Sequence, residues 1–149
     1  MARTILVTGA ASGIGAAVCR RLAAPGVSLM MHTRGGSDGS KRDMLLQVAD
    51  EARAKGARVE TTFADLSEQD AARKLVKECC QHFGGLDQIV SNAGFADRTL
   101  MGEVDREALN QSLSAMTGAF FDLASEAMAP LKDSSCGRVV AISSFVAHR

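Results

Sequence analysis

Five short apolar runs alternate with four stretches of helical spacing along the chain, and this alternation restricts the fold more than any other feature. The runs are "TILVTG" (4–9), "VSLMMHT" (27–33), "RVETTFA" (58–64), "LDQIVSNAG" (86–94) and "RVVAIS" from 138, each short enough for a strand. Between them lie "GIGAAVCRRLAA" (13–24), stopped by Pro25 and Gly26, and "KRDMLLQVADEARAK" (41–55), stopped by Gly56. A third helix is predicted from Ser67 to about Phe83, and a long fourth over 105–129, up to Pro130. In the first helix Ile14, Val18 and Leu22 recur every four residues and predict its buried face. Ser67, followed three residues later by Asp70, resembles a capping box. A βαβ series of this kind makes right-handed crossovers and a parallel sheet covered on both faces. The expectation is one doubly wound α/β domain over 1–149, with strand order 3-2-1-4-5. A chain of 149 residues suits one domain with a real core.

Composition removes several classes of function. The formal net charge is zero and the basic residues are dispersed, so neither nucleic acid nor a membrane surface is an expected partner. No apolar run reaches the length of about 18 residues that a spanning helix needs. The N-terminal "MARTILVTGAASG" reads as a first strand and not as a signal peptide. Cys19, Cys79, Cys80 and Cys136 form no C-x-x-C pair and fit reduced thiols of a cytoplasmic protein. His32, His82 and His148 lack metal-ligand spacing, so no metal site is expected.

The chemistry concentrates where the first strand meets the first helix. Thr8, Gly9, Ala10, Ala11, Ser12, Gly13, Ile14 and Gly15 give glycine spacing G-x-x-x-G-x-G. Gly9 allows a tight turn, while Gly13 and Gly15 allow close approach of a ligand and of the helix to the sheet. Amides at a helix start favour an anion, and a diphosphate is the obvious one. A purely structural glycine turn is the competing reading. At the end of strand two, where dinucleotide folds often carry an acidic ribose ligand, stand Thr33, Arg34 and Gly35. A 2′-phosphate would meet the Thr33 hydroxyl and the Arg34 guanidinium, which favours NADP(H) over NAD(H). Against this, Arg34 also fits a solvated surface charge, and Asp38 is near enough in sequence to meet a ribose.

Thr8 to Gly15, "ADL" at 64–66, "SNAG" at 91–94 and "ISS" at 142–144 together resemble the short-chain dehydrogenase/reductase family across the whole chain. The nearest branch in character is that of the 3-oxoacyl-carrier-protein reductases. The resemblance implies a Rossmann-type domain and hydride exchange between nicotinamide and a small carbonyl or alcohol substrate. It implies that Asp65 accepts from the adenine amino group and that Leu66 packs near the ring. Asn92 would tie neighbouring strands together, and Ala93 and Gly94 would let the adenosine half pass. Asp65 also suits a cap beside a helix, and Ser91 stands where the family often has asparagine. Ser144 would orient the substrate oxygen, although a strand-end hydroxyl bonded to backbone is the plain alternative; Ser143 should face the other side of the sheet.

The same resemblance calls for a Y-x-x-x-K pair after the serine, but the sequence has no tyrosine and no lysine after Lys132. Ala115 stands where the family commonly has asparagine, and Asn110, about 140° around the helix, is no substitute. The chain therefore reads as the cofactor-binding part of a truncated enzyme, lacking the family's C-terminal strands and helices and inactive alone. Its fifth strand would be an open edge, and the full protein a homo-oligomer. The rival expectations are a catalytically inactive nucleotide-binding or interaction module and, less well matched, another Rossmann enzyme such as a methyltransferase.

Overall fold

The computed structural model describes residues 2–36, 38–96, 99–100 and 102–144. Five parallel strands, β1 (Arg3–Val7), β2 (Val27–Thr33), β3 (Arg58–Phe63), β4 (Gln88–Ser91) and β5 (Arg138–Ala141), form one sheet of order β3-β2-β1-β4-β5. The expected topology is thus observed. Every residue of β2 is buried, as a continuous apolar run with helices on both faces requires. Register places Val7 beside Met31 on one side and Val90 on the other, so β1, β2 and β4 end within two residues of one another.

Alternation along the strands divides the core in two. Ile5, Val7, Leu29 and Met31 face α1 (Gly13–Leu22) and α2 (Ser40–Ala54), burying Ala16, Cys19, Leu45, Val48 and Ala49. Leu6, Met30 and Ile89 face α3 (Ala71–Phe83) and α5 (Ala119–Glu126), burying Leu75, Val76, Cys79 and Leu123. Each buried Val, Leu, Ile or Met among them contributes roughly 1.5–3 kcal/mol on leaving water.

Several boundaries differ from expectation, each for a physical reason. The buried face of α1 is Gly15, Ala16 and Cys19; Ile14 is 58% exposed, and Val18 and Leu22 are only partly buried. Gly15 has no room for a side chain because the helix start presses on the Gly9 carbonyl and on Asn92. Ser67 begins no helix: its amide and hydroxyl both donate to Asp65 Oδ1, making a turn. The helix starts after Asp70, whose φ of 61° lies in the left-handed region that aspartate tolerates.

The fourth helical stretch is divided. α4 (Arg106–Leu113) runs into a π-helical turn (Ser114–Gly118), then α5, then α6 (Met128–Asp133). Pro130 lies inside α6, in its first turn, where a missing amide breaks no intrahelical bond. β5 ends at Ala141, so strand alternation does not extend to Ser143 and Ser144, both exposed. Val139 (36% exposed) and Val140 (45%) are left half-open on β5, and Leu113, Phe121 and Met128 are exposed on the helices.

Candidate functional site

The strand order reverses about β1, and at that switch point the carboxyl ends of β1, β2 and β4 diverge. A cleft of about 440 Å³ opens there. Its floor is the loop after β1, which is anchored on both neighbouring strands. Thr8 donates its amide to the Val90 carbonyl at 3.0 Å, and Ala10 donates to the His32 carbonyl at 2.8 Å. Thr8 itself is fully buried and does not line the cleft. Its Oγ1 accepts from the amides of Asn92 and Ala93, both at 3.0 Å. Asn92 answers with Nδ2, which donates to the carbonyls of Thr8 and Gly9 at 3.1 Å each. Two short segments 84 positions apart are thereby locked into one surface.

The three glycines do different things. Gly9 has φ 67°, and a Cβ there would lie 2.9 Å from the Ala93 Cα. Gly15 sits where a Cβ would press into the Gly9 carbonyl and lie 2.6 Å from Asn92 Nδ2, so it sets how closely α1 approaches the loop. A Cβ on Gly13 would meet nothing within 4 Å, but its φ of 55° favours glycine; this is the open side of the loop. Ser12 is the N-cap of α1, yet its side chain makes no capping bond. Gly9, Ser12 and Ile14 line the cleft.

At the wall formed past the ends of β2 and β3, Thr33 and Arg34 line the cleft with Ala64, Asp65 and Leu66. Arg34 is 62% exposed at its side chain, and its Nη1 lies 3.9 Å from Asp65 Oδ2. Burial pushes the Asp65 carboxyl up, but the Ser67 hydroxyl and amide and the Arg34 charge outweigh it and hold it below its ordinary value. Leu66 is 7% exposed and belongs to the core as much as to the wall. Asp38 is not among the lining residues. Its Oδ1 accepts from the Ser40 hydroxyl (2.7 Å) and amide (3.0 Å), which hold its carboxyl low and turn it toward α2.

The opposite wall is Asn92, Ala93, Gly94, Phe95 and Ala115. Ala115 lies in the π-helical turn, whose Met116 Sδ would be 3.4 Å from a Cβ on Gly94. Ser144 lies three residues past the end of β5, exposed, and is not among the residues that line the cleft.

Two lining residues carry no motif in the sequence. His32 is buried; its Nε2 donates to the Ala64 carbonyl at 2.9 Å, while Nδ1 has no partner among the described residues. Burial pushes its pKa below the ordinary 6.5, against the Ala64 bond and the charges of Asp65 and Glu78. Lys41, in the first turn of α2, reaches across to Ser12. Only the basic pair Lys41-Arg42 just past a glycine-rich loop signalled it. A second hollow of about 430 Å³ opens at the other end of the strands, by Arg3, Arg58, Gly84 and Asp87. Asp87 there is already engaged by the Thr4 amide and the Ser134 hydroxyl. Among the described residues no group of acidic, histidine or cysteine side chains could hold a metal, and no helix is long and apolar enough to cross a membrane.

Comparison with known proteins gives consistent relatives. A family model described as short chain dehydrogenase matches residues 3–149. The short chain dehydrogenase/reductase AacuN of Aspergillus aculeatus is 34% identical over 143 residues, 96% of this chain and 52% of that protein. L-rhamnose 1-dehydrogenase (NAD(P)(+)) of Azotobacter vinelandii is 30% identical over 146 residues, 97% of this chain and 56% of that one. A short chain dehydrogenase from Burkholderia cenocepacia, solved in complex with NADP, superposes with a TM-score of 0.88 at 28% identity, covering 99% of this chain and 57% of that one. A 3-oxoacyl (acyl-carrier-protein) reductase from Agrobacterium tumefaciens with NADP bound gives a TM-score of 0.83 at 27% identity, covering 96% and 53%. The chain spans about half the length of the curated relatives it matches.

Proposed function

The chain belongs to the short chain dehydrogenase family, and from that premise we propose that it is the dinucleotide-binding domain of an NADP(H)-dependent oxidoreductase. The observation that carries this reading is the cleft itself. A glycine turn, open at Gly13, faces a wall that offers the Arg34 cation, while Asp38, the carboxylate placed to compete, is turned onto Ser40. A carboxylate that receives a ribose 2′-hydroxyl would repel a 2′-phosphate; an arginine attracts one. Similar structures are solved with NADP, NADPH or 5-hydroxy-NADP, which supports the same preference.

In this reading the amides of the Gly9–Gly15 loop hold the diphosphate. Thr33 and Arg34 hold the 2′-phosphate, Asp65 accepts from the adenine amino group, and Leu66 packs beside the ring. Thr8 and Asn92 fix the loop, and Ala93 and Gly94 keep the path clear. When bound, the reduced cofactor would give a hydride to a carbonyl carbon and the oxidised form would take one from an alcohol carbon. Ser144 donates to the substrate oxygen as charge grows on it. No tyrosine is present to move a proton at that oxygen, so this chain alone binds the cofactor without turning it over. The substrate is a small carbonyl or alcohol compound. The 3-oxoacyl-carrier-protein branch is one candidate among relatives that include a sugar dehydrogenase. We place the protein in the cytoplasm, on its four free cysteines, two of them adjacent, and the whole protein in a homo-oligomer.

Titration of NADPH fluorescence with the purified chain tests the reading. Saturable enhancement is expected, stronger for NADPH than NADH; no signal at millimolar cofactor contradicts it. Ala115 in the cleft wall favours a second reading, a binding module without catalysis. Turnover of any carbonyl by the intact protein would remove that alternative.

A further inference from the structure

Lys41 stands in the first turn of α2, on the far side of the β2–α2 loop from Arg34, yet both line one cleft. Its Nζ donates to Ser12 Oγ at 3.1 Å, joining α2 to the glycine turn across 29 positions of sequence. Ser12 can receive it because its hydroxyl makes no cap to its own helix. The loop packs on the lysine stem: a Cβ on Gly36 would lie 3.4 Å from Lys41 Cγ. Gly35 (φ 98°), Gly36 (φ 73°) and Gly39 (φ 76°) all take the left-handed conformations that let the chain fold back this far. The neighbouring cation goes elsewhere. The Arg42 guanidinium stacks 4.0 Å over the Phe63 ring. Asp38, whose carboxylate feels the Lys41 charge, is engaged by Ser40. Among the described residues Lys41 makes no ion pair within 4.0 Å.

We propose that Lys41 is a specificity-determining residue, a second cation for the 2′-phosphate, reaching it from the Ser12 side of the cleft while Arg34 reaches it from the Asp65 side. This rests on the coenzyme reading above. An ammonium has three rotatable donors, so it can keep the Ser12 hydroxyl and still bond a phosphate oxygen. A dianionic phosphate has more acceptor oxygens than one arginine fork fills. The ring-stacked Arg42 is not a third cation at this site.

The test titrates the chain with NADPH and with NADH, as wild type, Lys41→Gln, Lys41→Arg and Arg34→Gln. Lys41→Gln should weaken NADPH about ten-fold and leave NADH within about two-fold, and Lys41→Arg should restore most of the loss. The NADPH-to-NADH preference of the wild type should also fall with salt less steeply in Lys41→Gln. Lys41 is exposed, so the variants should unfold at the wild-type temperature, which checks that the fold is intact. Equal weakening of both cofactors, or of neither, overturns the inference. If the wild type discriminates and Arg34→Gln abolishes the preference while Lys41→Gln does not, only this inference falls. If the wild type binds both cofactors alike, or binds neither, the coenzyme reading falls with it.

Discussion

At the scale of single residues, the loop depends on atoms that cannot be added and atoms that cannot be removed. Gly15→Ala should destabilise the protein by about 3 kcal/mol, because the new methyl overlaps the Gly9 carbonyl and the helix must move. Gly13→Ala meets only backbone strain, roughly 1–2 kcal/mol. Urea denaturation of the two variants should therefore rank them in that order. Thr8→Val removes the acceptor of two amides; it should cost about 3 kcal/mol and Thr8→Ser much less, on the same assay. His32 makes stability sensitive to pH. Its folded pKa lies below 6.5 because burial disfavours the charged ring, so the unfolded chain binds the extra proton first. Stability is then full above about pH 6.5 and declines as pH falls through it. The denaturation midpoint should drop between about pH 7.5 and pH 5.5, and His32→Gln should flatten that drop.

At the scale of elements, α4 is weakly held. Like α6 it buries no residue, whereas α3 buries Ala71, Ala72, Leu75, Val76 and Cys79. What holds its start is Asp105, whose Oδ1 accepts from the Ala108 amide at 2.7 Å. Asp105→Ala should remove about 1 kcal/mol of local stability and speed amide exchange in Arg106–Leu113 about five-fold, leaving the global midpoint unchanged. β1, β2 and α2 were legible in the sequence because burial on both faces or one face leaves a clear apolar pattern, whereas β5 showed as an apolar run although all four of its residues are exposed. The face of α1 was not. Periodicity counts large apolar residues, and here glycine and alanine make the contact while Ile14 turns to the cleft. Ser67 and Pro130 misled for a related reason. Each residue type has several local uses, and the choice between turn, cap and first turn depends on Asp65 and on the break at Ala127, which no short pattern records. The glycine turn was legible because a positive φ at Gly9 and the close approaches at Gly9 and Gly15 admit few other residues. Lys41 was not, since its approach to Ser12 depends on how the intervening loop folds.

At the scale of the whole molecule, one end of the sheet carries the cleft and one edge carries exposed apolar surface. β5 is an edge strand with all four residues exposed, and Leu113, Phe121 and Met128 are exposed apolar residues on the helices. Unpaired strand edges and apolar patches of this kind promote association. Sedimentation of the chain should show concentration-dependent self-association, reduced by Phe121→Glu with Val140→Lys; a monodisperse monomer at all concentrations would argue against an interaction surface there. The central claim concerns the other end of the sheet, and amide chemical-shift mapping on addition of NADPH addresses it most directly. The account predicts shifts at Gly9–Gly15, Thr33–Arg34, Asp65–Leu66 and Asn92–Gly94, with the hollow by Arg58, Gly84 and Asp87 unchanged. Shifts confined to that second hollow, or none at saturating NADPH, would contradict it.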